Sequence, residues 1–329
     1  MADNSKIEWC HATVNAISGC TPISPGCTNC YAMRAGGLNR PHHPSNGLTT
    51  LTRAGHVWTG AVRLNDAWLR RPLTWQKPRR IFWNAHGDAW HESVPVEWID
   101  RELAVAALTP HHRHLFLTKR STHMRRYFED PSTPERILDQ CKDLGGLPRR
   151  WQWPLPNVWL GVSVEDQARA EERIPDLLDT PAALRWLSCE PLLGPVDLTF
   201  LKTGLFKGAG SLEGRTVQRI TNCLSRADGI KWAVVGGESG HGARPMHPAW
   251  PVSLLDQCEE AGIPFLFKQW GEYSAHDMGT EDPRSIALDP DHVEYTRVGK
   301  TRAGRRLHGR LHDGYPELFA WEKARELVA

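Results

Sequence analysis

Asn157-Val158-Trp159-Leu160-Gly161-Val162-Ser163 is a short and nearly continuous apolar run. Glu165 to Leu178, which follows it, carries apolar residues at helical spacing, and Leu184-Arg185-Trp186-Leu187-Ser188 is short and apolar again. A strand that is apolar along its whole length is buried on both faces, as in a parallel sheet covered by helices. The stretch therefore reads as strand, helix, strand, one βαβ unit. The same pattern recurs on either side of it. Ile81-Phe82-Trp83-Asn84 and His114-Leu115-Phe116-Leu117-Thr118 precede it; Ile230-Lys231-Trp232-Ala233-Val234-Val235-Gly236 and Ile263-Pro264-Phe265-Leu266-Phe267 follow. Helical patterns at Val96–Leu108 and Trp250–Ala261 lie between runs, the first with Glu97, Asp100 and Glu102 near its start, where carboxylates complement the helix dipole. With a first strand near Thr13–Ile17 the total is about seven βα units. The expected fold is α/β, a partial or complete (β/α) barrel of six to seven parallel strands.

In such folds the chemistry collects where strands end. The polar residues directly after the apolar runs are Asn84 and Asp88, Thr118 and Lys119, Ser163 and Glu165, Ser188 and Glu190, Gly236-Gly237-Glu238-Ser239, and Lys268-Gln269. Glycines at 236 and 237 permit close backbone approach to a ligand, and the Glu238 carboxylate could accept a hydrogen bond from an amine or a ribose hydroxyl. The same tripeptide also suits a simple turn. Glu190 and Lys268 could pair with each other in the barrel mouth. Asp88 and His91 could bind substrate or cap the helix that follows.

The run Gly19-Cys20-Thr21-Pro22-Ile23-Ser24-Pro25-Gly26-Cys27-Thr28-Asn29-Cys30-Tyr31-Ala32 holds three of the eight cysteines, spaced C-x6-C-x2-C. A structural zinc ion wants four protein ligands. A [4Fe–4S] cluster held by Cys20, Cys27 and Cys30 would leave one iron open, and an open iron can take the amino and carboxylate groups of S-adenosylmethionine for radical chemistry. Most radical enzymes of that kind have three fewer residues in the first gap and an aromatic where this chain has Asn29. Zinc completed by Cys10, His11 or another cysteine, and free thiols, are the other readings. The remaining five cysteines (Cys10, Cys141, Cys189, Cys223 and Cys258) read as buried small side chains.

The chain has 329 residues, 40% of them hydrophobic, and a net charge of +2, too small to imply a partner alone. Basic residues nevertheless cluster at Arg70–Arg80, at Lys119-Arg120 with Arg125-Arg126, and at Lys300–Arg310, several beside members of a set of fifteen tryptophans. Basic residues interleaved with aromatics suit a nucleic acid whose bases stack. No apolar stretch approaches the ~18 residues that span a bilayer, and the polar N-terminus lacks a secretion signal, so no membrane contact and a cytoplasmic location are expected. The barrel is expected over residues 1–275, with an irregular insertion near 201–229, and a basic extension over 276–329 is expected to pack on it.

The motifs taken together resemble a phage- and prophage-encoded family of radical-S-adenosylmethionine-like proteins known for a three-cysteine motif. The matching segments are Ser18–Pro22 with Gly26–Ala32, Leu117–Arg120, Trp159–Glu165, Leu187–Pro195, Gly236–Gly240, Phe267–Gly271 and Gly304–Arg310. The resemblance implies a radical-enzyme type of barrel with a cluster on Cys20, Cys27 and Cys30. More distantly the chain is similar to spore photoproduct lyase, which points toward DNA. The expected function is a radical enzyme modifying or repairing a nucleic-acid base. Gly236, Gly237, Glu238, Ser163, Glu190 and Lys268 are its candidate cofactor-binding residues, Cys189 or Tyr31 a hydrogen-atom donor, and an external electron donor its partner. The alternative is a non-catalytic nucleic-acid-binding protein, with zinc or a cluster, that works with an adjacent-gene partner.

Overall fold

A computed structural model describes residues 3–36, 43–53, 55–204, 217–225, 227–275, 293 and 295–317. Seven strands form one parallel sheet: β1 (Ala12–Val14), β2 (Arg80–Trp83), β3 (Arg113–Thr118), β4 (Val158–Ser163), β5 (Leu184–Cys189), β6 (Ala233–Gly236) and β7 (Phe265–Gln269). They lie side by side in chain order from β1 to β7. A doubly wound sheet reverses its order at a switch point; this one never reverses, which is the winding of a barrel. β1 and β7 each have one neighbour within the sheet, so the winding stops before closure and the fold is an α/β partial barrel. Every residue of β2, β4 and β6 is buried, as their continuous apolarity requires. Among the described residues, no helix is long and apolar enough to cross a membrane.

The described chain divides into two compact units. The first comprises Met1–Val162, Thr180–Arg185 and Glu317–Ala329. It contains α1 (Val96–Leu108), α2 (Ser121–Glu129) and α3 (Thr133–Asp143). Buried Asp100 of α1 ties the three together, accepting from Tyr127 Oη at 2.5 Å and from Arg136 Nε at 3.0 Å. A polar chain runs through the core beneath the sheet. Trp83 Nε1 donates to His114 Nδ1 at 3.0 Å, so His114 carries its proton on Nε2, 3.0 Å from Thr109 Oγ1. The Thr109 hydroxyl in turn donates to Val105 O at 2.6 Å. Burial holds the His114 imidazole well below its usual range, neutral as this chain of bonds needs.

The second unit comprises Ser163–Asp179 and Trp186–Pro316. It contains α4 (Gln167–Asp179) and α5 (Ala249–Ala261). Gly262, at φ 64°, ends α5 in the left-handed region that favours glycine, and Ile263 N returns to Cys258 O at 2.9 Å. Within the segment expected to be irregular, Phe200–Gly204 pairs antiparallel with Val217–Thr221; residues 205–216 and 226 lie outside the described residues. Of the expected extension, 276–292, 294 and 318–329 also lie outside them. The described part of it holds the edge of β7. Phe267 N donates to His312 O at 2.9 Å and Gly314 N to Phe265 O at 3.0 Å, while Trp232 Nε1 donates to Gly314 O at 2.8 Å.

Candidate functional site

In the first unit the cysteine loop leaves β1 and lies against the turn that leaves β2. Gly19 N donates to His86 O at 3.0 Å, and Gly19 and Gly87 form a bridge. Side chains are excluded there: a Cβ on Gly19, whose φ is +101°, would sit 2.1 Å from Ala61 O, and one on Gly87 would sit 2.7 Å from Ile17 O. Asn84 fixes the approach from the end of β2. Its Oδ1 accepts from Ile17 N at 2.9 Å, and its Nδ2 donates to both oxygens of fully buried Glu102 at 3.0 and 2.9 Å.

Beyond Gly19 the chain turns through a 3-10 helix, Pro25–Cys27, with Cys27 N bonded to Ser24 O at 2.9 Å and Cys30 N to Cys27 O at 3.3 Å. A short helix, Tyr31–Gly36, begins directly after the last cysteine. Cys20, Cys27 and Cys30 are half-buried, while the other five cysteines are buried. Ala32, Met33, Leu48 and Trp58 form a small apolar cluster against which Cys20 and Cys30 pack.

The residue that organises this site is Arg120, delivered just past the end of β3. Its Nη1 lies 3.6 Å from Cys20 Sγ and 3.2 Å from Asp88 Oδ2, and its Nε donates to Glu92 at 2.9 and 3.0 Å. Its Nη2 donates to Thr21 Oγ1 at 2.7 Å. Asp88 also accepts from Thr118 Oγ1 at 2.7 Å and from Trp90 N at 3.1 Å, so the loops after β2 and β3 share one carboxylate. His91 completes the set. Its Nδ1 accepts from Ser93 N at 3.1 Å, which puts the proton on Nε2, 3.0 Å from Thr21 Oγ1. Burial and the Arg120 charge hold His91 below its usual range.

These surroundings set the thiols. Burial, and next the Asp88 carboxylate, push Cys20 up to about 12, with Arg120 pulling the other way. Burial also raises Cys30, against the hydrogen bonds it receives from the amides of Met33 and Ala32. Cys27 raises both, so each of these sulfurs lies within the field of its neighbour. Among the described residues, no three His, Cys, Asp or Glu side chains converge as a single metal ion requires. A cubane makes a different demand, because each cysteine takes its own iron. Of the three half-buried thiols on this loop, Cys20 and Cys30 pack on the apolar cluster and Cys20 lies beside the Arg120 guanidinium.

Tyr31 is 54% exposed and donates to Ala85 O at 2.8 Å. Its ring meets the edge of His86, which burial lowers to about 4.

In the second unit Lys268 Nζ lies 3.0 Å from Glu190 Oε1, the pair expected from the sequence. The two residues flank β6, and Gly236 makes room between them: a Cβ there would sit 2.7 Å from Glu190 Oε1. Gly237 packs on the chain after β7, where its Cβ would sit 2.1 Å from Trp270 O. Glu238 accepts from Arg244, at 2.8 Å from N and from Nε and at 2.6 Å from Nη2. Buried Ser163 ends β4, and its carbonyl accepts from Arg173 Nη1 at 2.9 Å; the same nitrogen donates to fully buried Glu165 at 2.8 Å. Cys189 is fully buried, and its thiol is pushed well above the usual range, mainly by that burial. The residue missed in the sequence as part of the cysteine site is Arg120, read there as one of a basic cluster suited to nucleic acid. Its position directly after an apolar run was the available signal.

The chain belongs to the family described as protein of unknown function DUF5131, whose model matches residues 4–316. No curated protein and no solved structure matches the chain.

Proposed function

We propose that this chain is an iron–sulfur protein that holds a [4Fe–4S] cluster on Cys20, Cys27 and Cys30, binds S-adenosylmethionine at the fourth iron, and acts on a nucleic-acid base. The observation that carries the reading is a loop with three half-buried thiols, one of which, Cys20, has the Arg120 guanidinium 3.6 Å from its Sγ. Bound there, the cofactors would supply one-electron cleavage chemistry, fed by an external donor. The chain's part is positioning and charge. Arg120 offsets the negative charge that a thiolate at Cys20 would bring, and Asp88 and Glu92 hold Arg120 in place. Neutral His91 and Thr21 brace the loop between Cys20 and Cys27. Met33, Leu48 and Trp58 exclude water on the side where Cys20 and Cys30 pack. The nucleic-acid substrate, DNA before RNA, is supported by the basic and aromatic residues and by the distant likeness of the sequence motifs to spore photoproduct lyase.

Anaerobic reconstitution with iron and sulfide tests this directly. We expect about four iron and four sulfide per chain, lost on Cys→Ser replacement at 20, 27 or 30, and reduced protein that cleaves S-adenosylmethionine, faster with DNA present. One zinc per chain with no iron would overturn the reading in favour of a structural site. Iron without cleavage of S-adenosylmethionine would remove the enzyme and leave a cluster-bearing binding protein.

A further inference from the structure

Outside the cysteine site, the feature that stands out is a ladder of parallel rings after α3, in the segment Leu147-Pro148-Arg149-Arg150-Trp151-Gln152-Trp153-Pro154. Trp153 stacks on Phe128 of α2, ring centroids 5.3 Å apart and planes 14° apart. Trp151 stacks on Trp153 at 6.4 Å and 13°. Phe128 is buried and both tryptophans are half-buried, so the ladder starts in the core and ends at Trp151. Trp151 makes no second ring contact among the described residues.

The charges beside it are equally distinctive. Arg125 of α2 and Arg136 of α3 each have a carboxylate partner, at Glu129 and Asp100. Arg149 and Arg150 are exposed and, among the described residues, make no ion pair or hydrogen bond. Two cations without a counter-ion, next to the outer ring of a parallel stack, match a chain that alternates phosphate with a planar ring. A ring that packs only for stability has no need of such neighbours.

We propose that Trp151, Arg149 and Arg150 form a binding platform for single-stranded nucleic acid. One base stacks on the indole as the next layer of the ladder, and the two guanidinium groups take the flanking phosphates. The strand is single because a base inside a duplex has no free face to offer. The platform rests on the nucleic-acid half of the function proposed above and is independent of the cluster.

Fluorescence anisotropy with a labelled oligothymidylate tests it on the full chain. Wild-type protein should bind with salt-sensitive affinity. Trp151→Ala should weaken binding about tenfold, while Trp151→Phe, which keeps a stacking face, should stay within about threefold. Arg149→Gln with Arg150→Gln should reduce the slope of log affinity against log salt by about 1.4. An unbound oligonucleotide, as expected of a segment built for a protein partner, would overturn the platform. So would equal affinity for Trp151→Ala, or a salt slope that ignores the two arginines. Iron content of the same preparations separates the two readings. Trp151-dependent binding in iron-free protein keeps the platform and removes the radical enzyme; iron and cofactor cleavage without strand binding does the reverse.

Discussion

Arg120 and Asp88 form an ion pair whose side chains are 3% and 6% exposed. Removing one partner of such a pair strands the other charge without water, which typically costs about 3–5 kcal/mol. Arg120→Gln should therefore lower the urea midpoint, and adding Asp88→Asn should recover part of the loss. An unchanged midpoint would show that the guanidinium is not the counter-charge of this site. Glu102 gives a second prediction. Burial pushes its carboxyl from 4.5 up to about 8, against the hydrogen bonds from Asn84. Below pH about 4.5 folded and unfolded chains both hold this proton, so the group is neutral to stability. Between about 4.5 and 8 the unfolded chain releases a proton that the folded chain keeps, so stability falls as pH rises and levels off above about 8. Glu102→Gln removes this dependence, and calorimetry at about pH 5 and about pH 8 should record a smaller drop in Tm than for wild type. An equal drop would mean that Glu102 ionises within the fold without penalty.

At the scale of the elements, the six strands from β2 to β7 were legible because each is short, largely apolar and mostly buried. The first, expected near Thr13–Ile17, is Ala12–Val14, with Ile17–Ser18 paired separately to Arg63–Leu64. α1, α4 and α5 were legible from their spacing, with boundaries shifted by at most two residues at either end. α2 and α3 were not. What orders them is a contact between residues 36 apart in the chain, Arg136 and Asp100, which face each other across two helices. Arg120 escaped for the same reason: its partner Asp88 is 32 residues away, and sequence does not say that the two loops meet. Gly236-Gly237-Glu238 was read as a place of close backbone approach to a ligand or as a turn, whereas the approach observed is by the chain itself. The neighbours it approaches, Trp270, Glu190 and Arg244, came only with the structure. Gly237→Ala should accordingly lower Tm steeply, since the added Cβ would lie 2.1 Å from a backbone oxygen. Gly146→Ala, whose Cβ would meet nothing nearer than 4.0 Å, should be close to neutral in the same thermal unfolding experiment. Equal effects would mean that the backbone at 237 yields.

For the molecule as a whole, the exposed margin of a sheet is a hazard, because its free N–H and C=O groups can pair with another chain. Here His312 and Gly314 occupy the margin of β7, and Gly314 also receives the indole of Trp232. A chain ended after Gly304 loses all of these bonds. It should unfold at lower temperature and scatter light on heating, and a truncated chain that stays clear and equally stable would mean that the margin needs no cover. The expectation that the tail packs on the barrel came from its irregular, basic composition, and the pairing itself was not legible, since Arg310-Leu311-His312 has no strand-like apolar run.

The unbroken progression of strands from β1 to β7 has a bearing on synthesis. Each new strand, as it leaves the ribosome, finds the neighbour it must join already made. Asp88, Glu92 and Arg120 all precede residue 121 of a 329-residue chain. The thiol of Cys20 can thus meet its cation while most of the polypeptide is still untranslated, so the cysteine loop can be fixed in place before the later strands exist.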